Sequence, residues 1–227
     1  MRFKDVFSII GPSMVGPSSS HTAGAVRIGR TARHIFGEQP TQAEIVFYGS
    51  FADTYRGHGT DLAVTAGLLD MDTDDLRIRD ALQEAKAAGI EIVFQTGRKP
   101  TLHPNTAKIT LRTDLRQDVV IGSSIGGGNI VIQSVNDFDV GFSVVYPTLL
   151  VFHDDRPGIV ANITSLFSSE GLNIGYMDVD RKGRSGDALT VVETDEAIPT
   201  SLMDRLRSLP YVHRISLADL TSREVRE

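Results

Sequence analysis

The stretch GPSMVGPSSSHTAG (residues 11–24) places three serine hydroxyls and an imidazole directly after Pro17, where a helical pattern begins. From Thr22 onward, apolar residues recur at helical spacing, and Gly37 follows them as a stop signal. The unpaired backbone N–H groups and the dipole of such a helix start favour an anion, so a carboxylate or phosphate is one predicted occupant. The alternative is a plain cap, in which one serine caps the helix and the others are solvated. The candidate donors at this helix start are Ser18, Ser19, Ser20, His21 and Thr22.

Residues 1–147 alternate predicted strands and helices, which indicates a mixed α+β domain. The best-marked helix after the first has Thr73 as its predicted N-cap, Asp74 and Asp75 in its first turn, and Gly89 at its end. Residues 90–94 alternate between apolar and polar side chains, as a half-buried strand does. The remaining predicted elements are a helix at 60–69 and strands at 45–47, 107–113, 118–121 and 130–135.

Residues 148–227 predict a second unit with the element order βαββαβ, which is the ferredoxin-like arrangement. Gly171 is predicted to end its first helix, and Pro199 is predicted to start its second. Residues 182–186, KGRSG, are typical of a hairpin turn between the two central strands. The predicted strands are 149–152, 173–181, 188–193 and 212–217, with helices beginning near 159 and 199.

Composition excludes several classes of function. The net charge is −6 and no basic block occurs, which argues against nucleic acid or an anionic membrane as a partner. No apolar stretch approaches the roughly 20 residues of a membrane span. Residues 1–5, MRFKD, lead into only a short apolar stretch, so we expect no signal peptide and a cytoplasmic location.

The sequence contains no cysteine. This excludes a disulfide, a thiolate nucleophile, a zinc–thiolate site and a cysteine-ligated iron–sulfur cluster held by this chain. The Walker A and dinucleotide-binding glycine patterns are also absent, and no G-x-S-x-G elbow supports a serine hydrolase.

Three of the six histidines stand in stretches dense in glycine, serine, proline or asparagine, which we predict to be loops. Loops on a rigid scaffold are where catalytic residues concentrate, and an imidazole of pKa ~6.5 suits proton transfer at neutral pH. A hydrolase with these histidines as metal ligands is a weaker alternative, because no paired carboxylates support it. The loop histidines are His21, His58 and His103. The other three, His34, His153 and His213, are predicted to be structural.

Three further polar segments have two interpretations each. Thr60 and Asp61 begin a predicted helix, where they offer either a second anion site or a plain N-cap. Asn105 offers a donor and an acceptor to a small substrate, although an Asx-turn explains it equally well. Gly126 and Gly127, in the run GGG (126–128), either aim N–H groups at an anion or form a sharp turn between strands.

Four motifs occur in order: SSSHT (18–22), GHGTD (57–61), HPNTA (103–107) and SIGGG (124–128). Together they resemble the beta chain of the two-subunit, iron–sulfur-dependent L-serine dehydratase family, whose first domain is allosteric substrate-binding-like. The segment after Tyr146 resembles an ACT domain, a small amino-acid-sensing module. The resemblance covers nearly the whole chain. It implies catalytic roles for His21, His58 and His103. It implies substrate binding by Ser18, Ser19, Ser20, Thr22, Thr60, Asn105, Gly126 and Gly127.

The resemblance also implies a cofactor and partners. The family converts L-serine to pyruvate and ammonia, and an open iron of a [4Fe–4S] cluster takes the leaving hydroxyl. Because this chain has no cysteine, the cluster must be held by a cysteine-bearing alpha subunit, and no metal site is expected in this chain. The ACT segment implies self-association and an effector site, for serine itself or for a monovalent cation that affects assembly. Its implied residues are Arg156, Gly158, Asn173 and Ile174.

The alternative function is an amino-acid-binding regulatory module that has no catalytic role. The same kind of serine-binding domain occurs as a regulatory element in phosphoglycerate dehydrogenases. Three loop histidines favour the enzyme, because passive recognition of an amino acid rarely needs more than one titratable group.

Overall fold

The computed structural model describes residues 12–184 and 186–221 and divides into two compact units, Met1–Asn136 and Asp137–Glu227. Gly11 of the first motif, the N-terminal residues 1–5 and Ser185 of the predicted hairpin lie outside the described residues. The division precedes the boundary between residues 147 and 148, which remains a prediction from the sequence.

The first unit is a mixed α+β domain, as predicted, with helices on a mainly antiparallel sheet. Its strands β1 to β5 are adjacent in the order β2-β1-β3-β4-β5, and only the β1–β2 pair is parallel. Helix α1 lies against β3, β4 and β5 and packs on α3. The helices are α1 (Gly24–Phe36), α2 (Gly49–His58), α3 (Thr60–Leu68) and α4 (Ala81–Ala87). The strands are β1 (Gln42–Tyr48), β2 (Glu91–Thr96), β3 (Thr106–Arg112), β4 (Gln117–Gly126) and β5 (Asn129–Val135).

Helix α1 forms where the apolar spacing predicts it. A π-helical turn, Ser19–Ala23, precedes it, and the Ser18 side chain caps that turn by accepting the backbone N–H of His21. Gly37 ends the helix in the left-handed conformation, at φ 79°, and donates its N–H to the Arg33 carbonyl. The apolar residues of the predicted stripe are all buried: Ala25, Ile28, Ala32 and Ile35.

Two local predictions for the first unit are corrected. The predicted N-cap at Thr73 is wrong, because the Thr73 hydroxyl donates to the Ser13 carbonyl instead. Asp75 caps a short 3₁₀ helix (Leu76–Asp80) that precedes α4. Helix α2 was not predicted, because glycines at and around its ends are typical of a loop.

The second unit has the predicted ferredoxin-like order, after a short strand that was not predicted. Its four-stranded sheet has the order β10-β7-β9-β8, and α5 and α6 supply apolar residues to its core. Gly171 follows α5 at φ 72°, and Pro199 directly precedes α6, as predicted. The elements are β6 (Phe138–Phe142), β7 (Thr148–Asp154), α5 (Ile159–Ser169), β8 (Ile174–Arg181), β9 (Asp187–Thr194), α6 (Thr200–Arg207) and β10 (Val212–Ala218).

Among the described residues, no helix combines the length and the apolar character needed to cross a membrane.

Helices α1 and α3 approach each other at two glycines. A Cβ atom on Gly67 would lie 2.1 Å from the Val26 carbonyl oxygen, and one on Gly29 would lie 2.3 Å from that of Val64. Real side chains never come this close to backbone, so both positions require glycine for the observed packing.

We expect Gly67→Ala to lower the free energy of unfolding of the first unit by about 1–3 kcal/mol, because the added methyl group forces the helices apart. Chemical denaturation followed by circular dichroism measures the change. Gly57→Ala is the matched control, because a Cβ on Gly57 meets no atom within 4 Å. That variant should be as stable as the parent or slightly more so. Equal stability of the two variants would contradict the packing argument.

Candidate active site

The polar motifs of the first unit meet at one edge of its sheet. Tyr48 at the end of β1 pairs with Thr106 at the start of β3, and Thr106 pairs with Ser123 near the end of β4. The antiparallel register therefore brings the segment after β1, the segment before β3 and the end of β4 to the same place. The start of α1, with the helical turn directly before it, lies against this edge, because Ser124 fills the space that a Cβ on Gly24 would occupy.

His21 is hydrogen-bonded at both ring nitrogens. Its Nδ1 lies 3.0 Å from the Ser20 Oγ and 3.4 Å from the Ser18 Oγ. Its Nε2 lies 3.2 Å from the Ser50 Oγ. A hydroxyl can donate or accept, so these partners accommodate either neutral tautomer of the ring.

His58 lies beside His21, with the two ring centroids 5.0 Å apart. The prediction that His58 stands in a loop is wrong, because it is the last residue of α2, which Gly59 ends at φ 68°. His21 likewise lies in a helical turn rather than a loop. The His58 side chain is exposed, and within residues 12–184 and 186–221 no hydrogen bond engages its ring.

The pKa of His21 is lowered below 6.5, first because the ring is partly buried and second because His58 stands next to it. A backbone hydrogen bond with Ser50 acts in the opposite direction. Burial and the neighbouring His58 therefore both favour the neutral form of the His21 imidazole.

The loop that holds His103 is fixed by hydrogen bonds of its own. The Asn105 backbone N–H donates to His103 Nδ1, and the His103 carbonyl accepts the hydroxyls of Thr101 and Thr106. The turn thus depends on the imidazole and not on an Asx-turn of Asn105. The loop contacts the start of α2, where a Cβ on Gly49 would lie 2.5 Å from the Pro104 carbonyl oxygen. In the described part of the chain, no ring contact joins His103 to His21 or His58.

Each motif contributes one buried oxygen that lacks a hydrogen-bond partner among the described residues. These are Thr22 Oγ1, Thr60 Oγ1, Asn105 Oδ1 and Ser124 Oγ. An unsatisfied buried polar atom costs about 1–3 kcal/mol, so such atoms are rare unless a ligand or water serves them. Thr65, Thr113 and Arg116 carry similar atoms outside the motifs. The concentration in the motifs is the main sign of a binding site.

The glycine run forms the turn between β4 and β5. Gly126 and Gly127 have φ values of 95° and 60°, and Gly128 has 77°. The Gly128 carbonyl accepts a hydrogen bond from Arg27 Nη1 at 2.8 Å. The glycine run therefore forms a sharp turn between strands, as one of the two interpretations predicts. Binding of an anion by the N–H groups of this turn stays a prediction.

Neither Thr60 nor Asp61 caps α3 with its side chain. Gly59 occupies the N-cap position, and no side chain there accepts a hydrogen bond. Asp61 Oδ1 accepts the backbone N–H of the next residue, Leu62. Thr60 is fully buried in the first turn.

The four predicted effector residues of the second unit lie at two separate places. Arg156 and Gly158 precede α5, and the Arg156 guanidinium lies 5.5 Å from the centre of the Tyr211 ring. Asn173 and Ile174 follow α5, and Asn173 Nδ2 donates to Asp195 at 2.8 Å. A helix of 11 residues spans about 16 Å, so one copy of the chain does not bring the two pairs together.

The remaining histidines have protein partners, which agrees with their predicted structural roles. His34 Nε2 lies 2.8 Å from Asp70 Oδ1. His153 is buried, with Asp154 and Thr190 as partners of its two nitrogens. His213 Nε2 lies 2.7 Å from Asp154 Oδ1.

Asp187 offers a further oxygen within 4.8 Å of the His213–Asp154 pair, so these three side chains lie within metal-ligand reach of one another.

Ser50 is a site residue that the sequence patterns do not reveal. It is the second residue of α2, directly after a glycine that follows a strand, and no motif contains it. Only the pairing of β1 with β3 and the position of the turn before α1 bring it to His21.

The fold and the site define an ACT-domain protein that carries a site rich in hydroxyls and imidazoles in its first unit. Residues 3–91 match the family model "Serine dehydratase beta chain", and residues 147–211 match "ACT domain". The chain is 46% identical over 216 residues to "Probable L-serine dehydratase, beta chain" of Bacillus subtilis (strain 168), covering 95% of this chain and 98% of that protein. It is 37% identical to "L-serine dehydratase, beta chain" of Peptoniphilus asaccharolyticus, covering 91% and 96%. The chain therefore belongs to the serine dehydratase beta chain family.

A more distant relative is a "D-3-phosphoglycerate dehydrogenase" of Synechocystis sp.. The identity is 25% over 186 residues, which cover 80% of this chain and 33% of the dehydrogenase.

We expect His58→Gln to raise the pKa of His21 toward 6.5, because it removes the neighbouring imidazole that opposes protonation of His21. The value should stay below 6.5, since burial is the larger cause. An NMR titration of the labelled histidine side chains measures it. His213→Gln, in the second unit, is the control and should leave the His21 titration unchanged. An unaltered His21 pKa in His58→Gln would show that the two rings do not interact.

Proposed function

We propose that the chain is the beta subunit of an L-serine dehydratase and forms its active site together with an alpha chain. The proposal is supported by the names of the two long relatives. It depends most on one observation. Among the described residues, each of the four motifs contains a buried oxygen without a hydrogen-bond partner, and two of these motifs supply the His21–His58 pair.

The conversion of L-serine to pyruvate and ammonia requires removal of the α-proton and departure of the β-hydroxyl. In the proposal, the hydroxyls of Thr22, Thr60 and Ser124 and the Asn105 oxygen bind the polar groups of a small amino acid. The imidazoles hold or move the proton. His58 has the exposed ring, whereas both nitrogens of His21 are engaged by serines.

The residues of this chain do not fit a [4Fe–4S] cluster, because it has no cysteine to ligate the irons. The proposal therefore assigns the cluster to a cysteine-bearing alpha chain, and to this chain only binding, orientation and proton handling.

A regulatory amino-acid-binding module is the second candidate function. It is favoured by the similarity to a phosphoglycerate dehydrogenase over 80% of this chain. The two candidates differ in what the histidines do, because a sensor needs them only for affinity.

We expect the purified chain to form no pyruvate, and to gain serine dehydratase activity only with a cluster-loaded alpha chain under anaerobic conditions. In that reconstituted enzyme, at least one of His21→Ala and His58→Ala should lower kcat by roughly 10²–10⁴-fold, the usual span for acid–base groups. His103→Ala tests the third predicted histidine in the same assay. His213→Ala is the control and should keep the parental kcat.

Pyruvate formation by the chain alone, free of iron, would exclude the shared site. A higher KM with unchanged kcat in all three variants would favour the regulatory module. Thermal melts and co-purification with the alpha chain must show that each variant folds and binds its partner, because His21 also lies at a helix start.

For the second unit we propose an effector site formed between two copies of the chain, for serine or a monovalent cation. Pairing of copies is one way to bring Arg156 and Gly158 of one copy to Asn173 and Ile174 of another. The separation of the two pairs by the length of α5 supports this arrangement.

We expect the full chain to sediment as a dimer at micromolar concentration, because the effector site needs two copies. A chain that ends at residue 147 should keep the circular dichroism of a folded first unit but associate more weakly. Sedimentation velocity with and without serine measures both. A full-length monomer under both conditions would contradict this part of the proposal.

A further inference from the structure

We infer that Ser50 is a positioning residue, whose hydroxyl fixes the imidazole of His21 in the orientation that the site uses. Its effect on catalysis rests on the function proposed above, whereas its effect on the ring does not.

The ring of His21 is held on three sides. Ser50 Oγ lies 3.2 Å from Nε2, and Ser20 Oγ lies 3.0 Å from Nδ1. The Phe51 ring meets the imidazole at 67°, with the centroids 5.2 Å apart. Ser20 is its neighbour in sequence, whereas Ser50 and Phe51 both reach the ring from α2. Of these two, Ser50 is the one that hydrogen-bonds the ring. Ser50 therefore determines where the ring stands relative to α2 and His58.

The backbone around Ser50 is fixed on both sides. Gly49 adopts φ 53° and lies so close to Pro104 that a side chain there would meet the Pro104 carbonyl. Phe51 is fully buried, and its N–H faces the same carbonyl at 3.5 Å. The backbone of the serine between two such residues is therefore held in place beside His21. The arrangement also ties the His103 loop to the orientation of the His21 ring.

The side-chain hydrogen-bond partners of the His21 ring in the described structure are hydroxyls, and the backbone of Ser50 is a further partner. None of these partners is a carboxylate. A carboxylate partner would favour the charged imidazolium, whereas a hydroxyl orients the ring without adding a negative charge beside it. The titratable neighbour that acts on His21 is His58. Ser50 thus supplies orientation without the strong increase in basicity that an aspartate would bring.

The test compares Ser50→Ala and Ser50→Thr with the parent chain. Ser201→Ala is the matched control, because Ser201 is also the second residue of a helix, α6, and is exposed. An NMR titration of the chain alone gives the pKa of His21. Steady-state kinetics of the reconstituted enzyme with L-serine gives kcat and KM.

In Ser50→Ala we expect the pKa of His21 to fall further below 6.5, because the imidazolium loses the Ser50 hydroxyl as an acceptor while the backbone hydrogen bond with residue 50 remains. We expect kcat to fall roughly 3- to 30-fold with KM nearly unchanged, because a misoriented ring affects the reaction more than binding. Ser50→Thr, which keeps the hydroxyl, should recover most of both values. Ser201→Ala should match the parent.

An unchanged His21 pKa in a folded Ser50→Ala chain would overturn the inference, and so would an equal change in Ser201→Ala. If Ser50→Ala fails to fold, Ser50→Cys replaces it, since a thiol has the same shape but hydrogen-bonds weakly. Absence of dehydratase activity in the reconstituted parent would reject the proposed function alone. The titration would still decide whether Ser50 positions the ring.

Discussion

The contact between α1 and β4 at Gly24 and Ser124 determines where the first helix begins relative to the sheet. Because Gly24 has no side chain, Ser124 occupies the space where a Cβ would be, and the helix start lies directly on the edge of the sheet. His21 belongs to the helical turn that immediately precedes Gly24, so its ring is carried to the start of α2. The same edge receives the His103 loop through the pairing of β1 with β3. A site assembled from four distant motifs thus depends on one close helix–sheet contact.

The four motifs at this edge contain one carboxylate, that of Asp61, and three imidazoles. The ring of His21 is partly buried and lies beside the imidazole of His58. Both features oppose protonation of His21. The strongly paired charges of the first unit lie elsewhere, at Asp70, which accepts hydrogen bonds from Arg30 and His34. Those partners hold the pKa of the Asp70 carboxyl well below its usual range. The charged pairs of Asp70 thus lie along α1, at Arg30 and His34, whereas His21 lies in the turn that precedes this helix.

Much of the fold could be predicted from the sequence where periodicity and stop signals agree. The apolar stripe of α1 with Gly37 is one example, and the complete βαββαβ order of the second unit is another. Helix α2 could not be predicted, because glycines at positions 49, 57 and 59 indicate a loop when tertiary packing is unknown. The cap at Thr73 was wrong because a distant carbonyl, that of Ser13, competes for its hydroxyl. Within the site, the motifs contain the histidines and the buried oxygens. Ser50 lies outside every motif, and only the strand register and the position of the turn before α1 bring it to His21.

The left-handed turn at Gly49 joins two segments that are far apart in the chain. Gly49 packs directly against the backbone of Pro104. Neither the start of α2 nor the His103 loop can therefore shift without displacing the other. Substitutions in the two segments are consequently coupled. The change in unfolding free energy of a double variant does not equal the sum of the changes in the two single variants. A side chain larger than glycine at position 49 therefore requires a rebuilt loop at Pro104, so the residue at either position limits what the other position accepts.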